Sequence, residues 1–202
     1  QREEHSGERP GLVFSEQAEL VADDRAATRH TVGVELAEVL VSAGKYVEAV
    51  ELLLAGQPLA RDDQERAEIQ EGLGRAYQER GDSHLAIDAL EASLGLYGRR
   101  APKSLFSLVP LTLVGVLTFF SRRDPEGIGN ASRGPGRRQL TTLVSLIRIY
   151  YFLDIAKLAW ATFAALNLGR KVASAPELSQ AYTYYGTVLS GAGLLGGAQR
   201  AC

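Results

Sequence analysis

The chain has 202 residues, 46% of them hydrophobic and 23% charged, which is enough apolar material for a buried core and too much for general disorder. A single cysteine excludes a disulfide framework and a cysteine metal quartet, so a reducing compartment, the cytoplasm, is the expected location. The net charge of −2 hides an asymmetry: residues 1–100 hold 11 basic and 20 acidic side chains (11 − 20 = −9), residues 101–202 hold 11 and 4 (11 − 4 = +7). We read this as two differently charged ends of one elongated array, with no nucleic acid expected as a partner.

Residues 1–14 open the chain as a frayed or cut end, polar and charged through residue 10 with no secretory signal. No methionine occurs, the first residue is Gln1, and Cys202 falls inside a helical pattern, so the expectation is a fragment of a longer protein. Ser15 caps a helix, and from Glu16 to Ala43 the apolar residues Ala18, Leu20, Val21, Val32, Leu36, Val39 and Leu40 recur mostly at three- and four-residue spacings. Breaks near Asp23-Asp24 and Thr31 to Gly33 leave room for one or two helices.

A phrase then repeats. Leu36-Ala37…Gly44-Lys45-Tyr46…Ala49…Leu53 returns as Leu73-Gly74…Tyr77…Gly81-Asp82…Ala86…Leu90, where 81 − 44, 86 − 49 and 90 − 53 all equal 37. A fixed period of this size marks stacked helix-turn-helix units, each burying its apolar stripe against its neighbours. Gly44 and Gly81 supply the left-handed residue that ends a helix. Ala49 and Ala86 are small where two helices touch, Leu53 and Leu90 fill the seam, and Gly56 and Ser93 follow. Residues 15–97 therefore hold two units.

Residues 98–138 interrupt the array. The uncharged run 104–121 is flanked by Arg99, Arg100 and Lys103 before it and by Arg122 and Arg123 after it, and residues 124–136 spell a Gly/Pro/Arg loop. An uncharged run of 18 residues reaches the lower edge of a membrane span, but Pro110, Gly115 and the hydroxyls of Ser107, Thr112 and Thr118 argue instead for a helix buried against the repeats. Residues 139–202 hold two more units. Asp154…Ala164-Ala165-Leu166-Asn167-Leu168 mirrors Asp82…Ala92-Ser93-Leu94-Gly95-Leu96 at an offset of 72, and a last, truncated unit opens at Pro176 and matches the second at an offset of 112.

Chemistry is sparse. Gly191-Ala192-Gly193-Leu194-Leu195-Gly196 spells the dinucleotide fingerprint, but the segment before it reads as helix rather than strand and only six residues follow, so no cofactor is expected. His5, His30 and His84 show no metal-ligand spacing and read as solvated or locally hydrogen-bonded. Asp23-Asp24 and Asp62-Asp63 read as solvated helix starts, and Asn130-Ala131-Ser132 as loop rather than a glycosylated sequon. The late aromatics, Tyr150, Tyr151, Phe152, Trp160, Phe163, Tyr182, Tyr184 and Tyr185, are expected mostly in the core.

On the residues just quoted, the chain resembles the tetratricopeptide repeat family: Leu36-Ala37 and Leu73-Gly74 stand at the large-small pair of the first helix and Gly44 and Gly81 in the turn. The stretch from Arg148-Ile149-Tyr150-Tyr151-Phe152 through Trp160-Ala161-Thr162-Phe163 to Pro176-Glu177-Leu178, with Gly98-Arg99-Arg100-Ala101-Pro102-Lys103-Ser104, resembles the helical region of large bacterial signalling proteins whose predicted ATPase or nucleotide-cyclase domains precede such repeats. The resemblance implies an all-α right-handed superhelix (solenoid) of TPR-like hairpins, a non-catalytic regulatory scaffold that binds a protein segment or a sister domain, with any catalysis outside this fragment. It places the partner groove one residue after the small residue of each pair and three or four residues later, at Arg75, Gln78 and Glu79 and at Thr187 and Ser190. Arg75 is the leading candidate, as a guanidinium fork for a carboxylate, against plain pairing with Glu71 or Glu79 four residues away. The alternatives are a membrane-associated helical module using 104–121 and, more weakly, a nucleotide-dependent enzyme fragment.

Overall fold

Three glycines turn the chain in the left-handed region: Gly44 at φ 77°, Gly81 at 93° and Gly98 at 81°. At each, the glycine N–H bonds three residues back and the next N–H five residues back, as in Gly81 to Gln78 O (3.1 Å) and Asp82 to Tyr77 O (2.9 Å). This double bond satisfies the last free carbonyls of a helix, and only glycine adopts the required φ without a Cβ penalty. The structure, a computed structural model, describes residues 28–121, 135–172 and 175–191. Among them all regular structure is helical, with no strand.

The helices are α1 (28–42), α2 (Tyr46–Gly56), α3 (Asp63–Arg80), α4 (Ser83–Leu96), α5 (Leu105–Ser121), α6 (Pro135–Leu153), α7 (Ile155–Val172) and α8 (Ala175–Gly191), with a 3-10 turn at Gln57–Leu59. Of the expected helix or helices over 16–43, the described part is α1, and Asp23-Asp24 lies outside the described residues. Asp62 is a true cap: its carboxylate accepts the N–H of Glu65 at 2.8 Å, while the Glu65 carboxylate reaches back to the N–H of Arg61 at 2.9 Å. Asp154 alone separates α6 from α7 and accepts the N–H groups of Ala156 and Lys157 at 3.1 and 2.9 Å. The third hairpin thus begins at Pro135, four residues before the boundary expected from sequence.

Successive helices pack on one another: α2 on α3, α3 on α4, α4 on α6, α6 on α7 and α7 on α8, with further contacts of α3 on α6 and α6 on α8. One core joins Val34, Ala37, Ala49, Leu53 and Leu73, and a second joins Leu90 and Leu94 to Leu143, Ile147, Leu158 and Leu166. Ala49, Leu53, Ala86 and Leu90 are all buried, and the hydroxyl of buried Ser93 donates to Ala67 O at 2.9 Å. Leu36 is half exposed, unlike its repeat mate Leu73. A Cβ on Gly74 would lie 2.5 Å from Leu90 Cγ, so the two helices approach closely because that residue has no side chain.

At the 72-residue offset the third hairpin exchanges this arrangement. Positions 74 + 72 = 146 and 90 + 72 = 162 hold Leu146 and Thr162, both fully buried, so the bulk sits on the first helix and the small side chain on the second. The large and small letters change sides, which is why this unit is hard to see in sequence.

α5 departs from expectation. It is not buried among the other helices but packs chiefly on α7, where Gly115 and Phe119 meet Phe163, and Phe119 also meets Tyr182 and Tyr185 of α8. Asn167 Nδ2 donates to Gly115 O at 2.8 Å and Arg170 Nη1 to Phe119 O at 2.9 Å, with the Arg170 guanidinium 4.0 Å from the Phe119 ring. No helix of the described residues is long and apolar enough to cross a membrane. Among the late aromatics, Tyr150, Trp160 and Phe163 are core, whereas Tyr151, Phe152 and Tyr182 are exposed. Tyr150 donates to Glu91 Oε1 at 2.6 Å, which also takes Lys157 Nζ at 2.7 Å, tying α4, α6 and α7 together.

Candidate functional site

Along α3, Glu68, Glu71 and Arg75 fall at three- and four-residue spacings and so share one face. That face meets α1 on one side and α6 on the other. Arg75 Nη2 donates to Glu38 Oε1 of α1 at 2.5 Å and lies 3.9 Å from Glu71 Oε1. His30 of α1 sits 3.3 Å from Glu68, and Arg138 of α6 lies 3.4 Å from Glu68 and 4.0 Å from Glu71. The result is a charged seam across three first helices of successive hairpins. A small groove of about 140 Å³ opens beside Arg75, lined by Ala37, Glu38, Val41, Ser42 and Gly72.

Glu71 is the strained member. It is 4% exposed, and its Oε2 has no hydrogen-bond partner. Burial pushes its carboxyl above the usual carboxylate range, while Arg75 and Arg138 pull it back. Two further buried polar atoms nearby lack a hydrogen-bond partner: Arg75 Nε and the Tyr97 hydroxyl. Burial, then the Glu71 charge, holds the Tyr97 phenol above its ordinary range.

Of the residues anticipated from sequence, Arg75 and Gln78 are half-buried on α3 and Glu79 is exposed there, while Thr187 is half-buried on α8. α6 stands between the two groups, packing on both α3 and α8. The side chain of Ser190 lies outside the described residues. Arg75 does pair within the chain, but chiefly with Glu38 across the helix interface. Glu71 is a distant second and Glu79 is not a recorded partner.

Glu38, Glu68, Arg138 and Tyr97 were not anticipated. Glu38 was within reach: it follows the small residue of the first pair, Leu36-Ala37, and 38 + 37 = 75 makes it the repeat equivalent of Arg75. Opposite charges at one repeat position of adjacent helices bond each other. Arg138, 67 residues from Glu71 (138 − 71 = 67), leaves no such trace.

The seam holds three carboxylates, Glu38, Glu68 and Glu71, and two guanidiniums, Arg75 and Arg138, with the Arg75 fork already engaged by Glu38. Among the described residues no group of three His, Cys, Asp or Glu side chains is arranged to hold a metal ion. α8 runs as helix to Gly191, so helix precedes the glycine run, whose remaining residues lie outside the described ones, as do His5 and Asn130. Comparison with protein-family models, curated proteins and solved structures finds no match to this chain.

Proposed function

We propose that the chain is a non-catalytic, regulatory interaction scaffold, a right-handed superhelix of TPR-like hairpins that holds a segment of another protein, or of a sister domain of a larger signalling protein, over the first-helix face of α1, α3, α6 and α8. The observation that carries this reading is the seam Glu38–Arg75–Glu71–Arg138, in which side chains from three successive hairpins converge on one face. Supporting it, the left-handed turns at Gly44 and Gly81 stand 37 residues apart and each hairpin packs on its chain neighbours. A partner laid along this face meets the exposed carboxylate of Glu38 and the partly exposed guanidiniums of Arg75 and Arg138.

Peptide display against the chain tests this directly. Selected binders should be rich in Lys or Arg, and Glu38→Lys should weaken them tenfold or more with the melting curve unchanged. Binders indifferent to Glu38→Lys and to Arg138→Glu, or no binders at all, overturn the reading. The rival enzyme reading draws on the glycine run or on a site not recognised in the sequence. The membrane reading has its own support in the exposed face of α5.

A further inference from the structure

α5 carries no charged side chain over 17 residues, and it covers only one of its faces. Leu108, Gly115 and Phe119 turn toward α7, while Phe106, Val109, Leu113, Leu117 and Phe120, at spacings of 3, 4, 4 and 3, turn outward, with Phe106 95% and Phe120 68% exposed. At 1.5 Å per residue this outer stripe runs about 21 Å. A contiguous apolar surface of that length on an ordered helix marks a contact site.

The surrounding charge says what covers it. From Glu91 to Asp124 the sequence holds no other acidic residue and five cations, Arg99, Arg100, Lys103, Arg122 and Arg123, placed at both ends of the apolar run. A second copy would bring two such basic sets together, whereas an anionic surface attracts both ends of the helix at once. Beside the outer stripe, α5 and α7 enclose a groove of about 220 Å³ with apolar walls from Leu111, Val114 and Trp160, and with Arg99 and Lys171 at its edge. Neither cation has an ion-pair partner among the described residues, and Arg99 Nε is buried without a hydrogen bond. Val114 belongs both to the groove and to the exposed surface, so an amphiphile lying on the outer face reaches the two cations without crossing the protein.

We propose that α5 lies in the plane of an anionic membrane surface, its outer apolar stripe sunk into the interfacial region and a phospholipid phosphate held by Arg99 and Lys171 in the adjoining groove. The helix is too short to cross, and the protein on its inner face keeps it from doing so. Asn167 and Arg170 have a defined part in this arrangement: by bonding carbonyls of α5 they hold the helix to α7 with its apolar side outward. The inference concerns α5 and α7 alone and does not depend on the scaffold reading.

Vesicle flotation of the whole chain tests it. Phosphatidylcholine vesicles containing roughly one-third phosphatidylserine should carry the protein at low salt, pure phosphatidylcholine vesicles much less, and binding should fall as salt rises. Phe106→Ser with Phe120→Ser, both exposed, should cut flotation tenfold or more at an unchanged melting temperature. Arg99→Ala with Lys171→Ala should weaken binding and flatten its salt dependence. Absence of flotation, flotation indifferent to the phenylalanine pair, or a solution dimer that the phenylalanine pair dissolves without any vesicle binding overturns the proposal.

Discussion

Replacing Gly74 by alanine should destabilise the protein, although the same change inside an unconstrained helix does the opposite. Alanine is favoured over glycine in a helix interior by about 1 kcal/mol. At position 74, however, the new methyl group would lie 2.5 Å from Leu90 Cγ and 2.6 Å from Leu90 Cδ2, roughly 1 Å inside ordinary contact, and Leu90 is fully buried with nowhere to swing. Overpacking of this kind costs about 1–3 kcal/mol, so the net expectation is a loss of about 1 kcal/mol. Gly95 on α4 is the internal control: a Cβ there meets nothing within 4 Å, so Gly95→Ala should gain up to about 0.5 kcal/mol. In urea titrations the two substitutions should therefore move the midpoint in opposite directions. On a Leu90→Ala background Gly74→Ala should turn stabilising, since the obstructing side chain has gone. A Gly74→Ala protein as stable as the parent would refute the seam described between α3 and α4.

Glu71→Gln reads the buried carboxyl through pH. Because its folded value is raised, the folded chain holds that proton more tightly than the unfolded chain, and stability falls as pH rises from the ordinary carboxylate range through the raised value. The glutamine variant should be the more stable protein at neutral pH and lose that advantage in acid, as denaturant midpoints across the range would show. Tyr150→Phe removes the donor to Glu91 while leaving Lys157 in place, and should cost about 1.5 kcal/mol, visible as a lower melting temperature without loss of helical circular dichroism.

Much of the helical framework was legible in the chain because it depends on near neighbours. A left-handed glycine, an aspartate three residues before a free N–H and an apolar residue every third or fourth position act within one or two turns, so Gly44, Gly81, Asp62 and the Leu53/Leu90 positions declare themselves. The same locality explains what was missed in the third hairpin. There the large residue stands on the first helix and the small one on the second, Leu146 with Thr162 in place of Gly74 with Leu90, both buried, and this exchange erases the letters of the repeat.

Tertiary structure decided the rest. Arg75 bonds Glu38 of another helix more closely than Glu71 of its own, Glu71 is buried between Arg75 and an Arg138 from another hairpin, and α5 hides one face while offering the other. The uncharged run 104–121 has apolar residues all round, so no periodicity in it says which side will be covered. The covered side is the one that packs on Phe163 and whose carbonyls at Gly115 and Phe119 accept from Asn167 and Arg170, some 50 residues away. Side-chain partners so distant in sequence are set by how the hairpins stack, and only the folded chain brings them within reach.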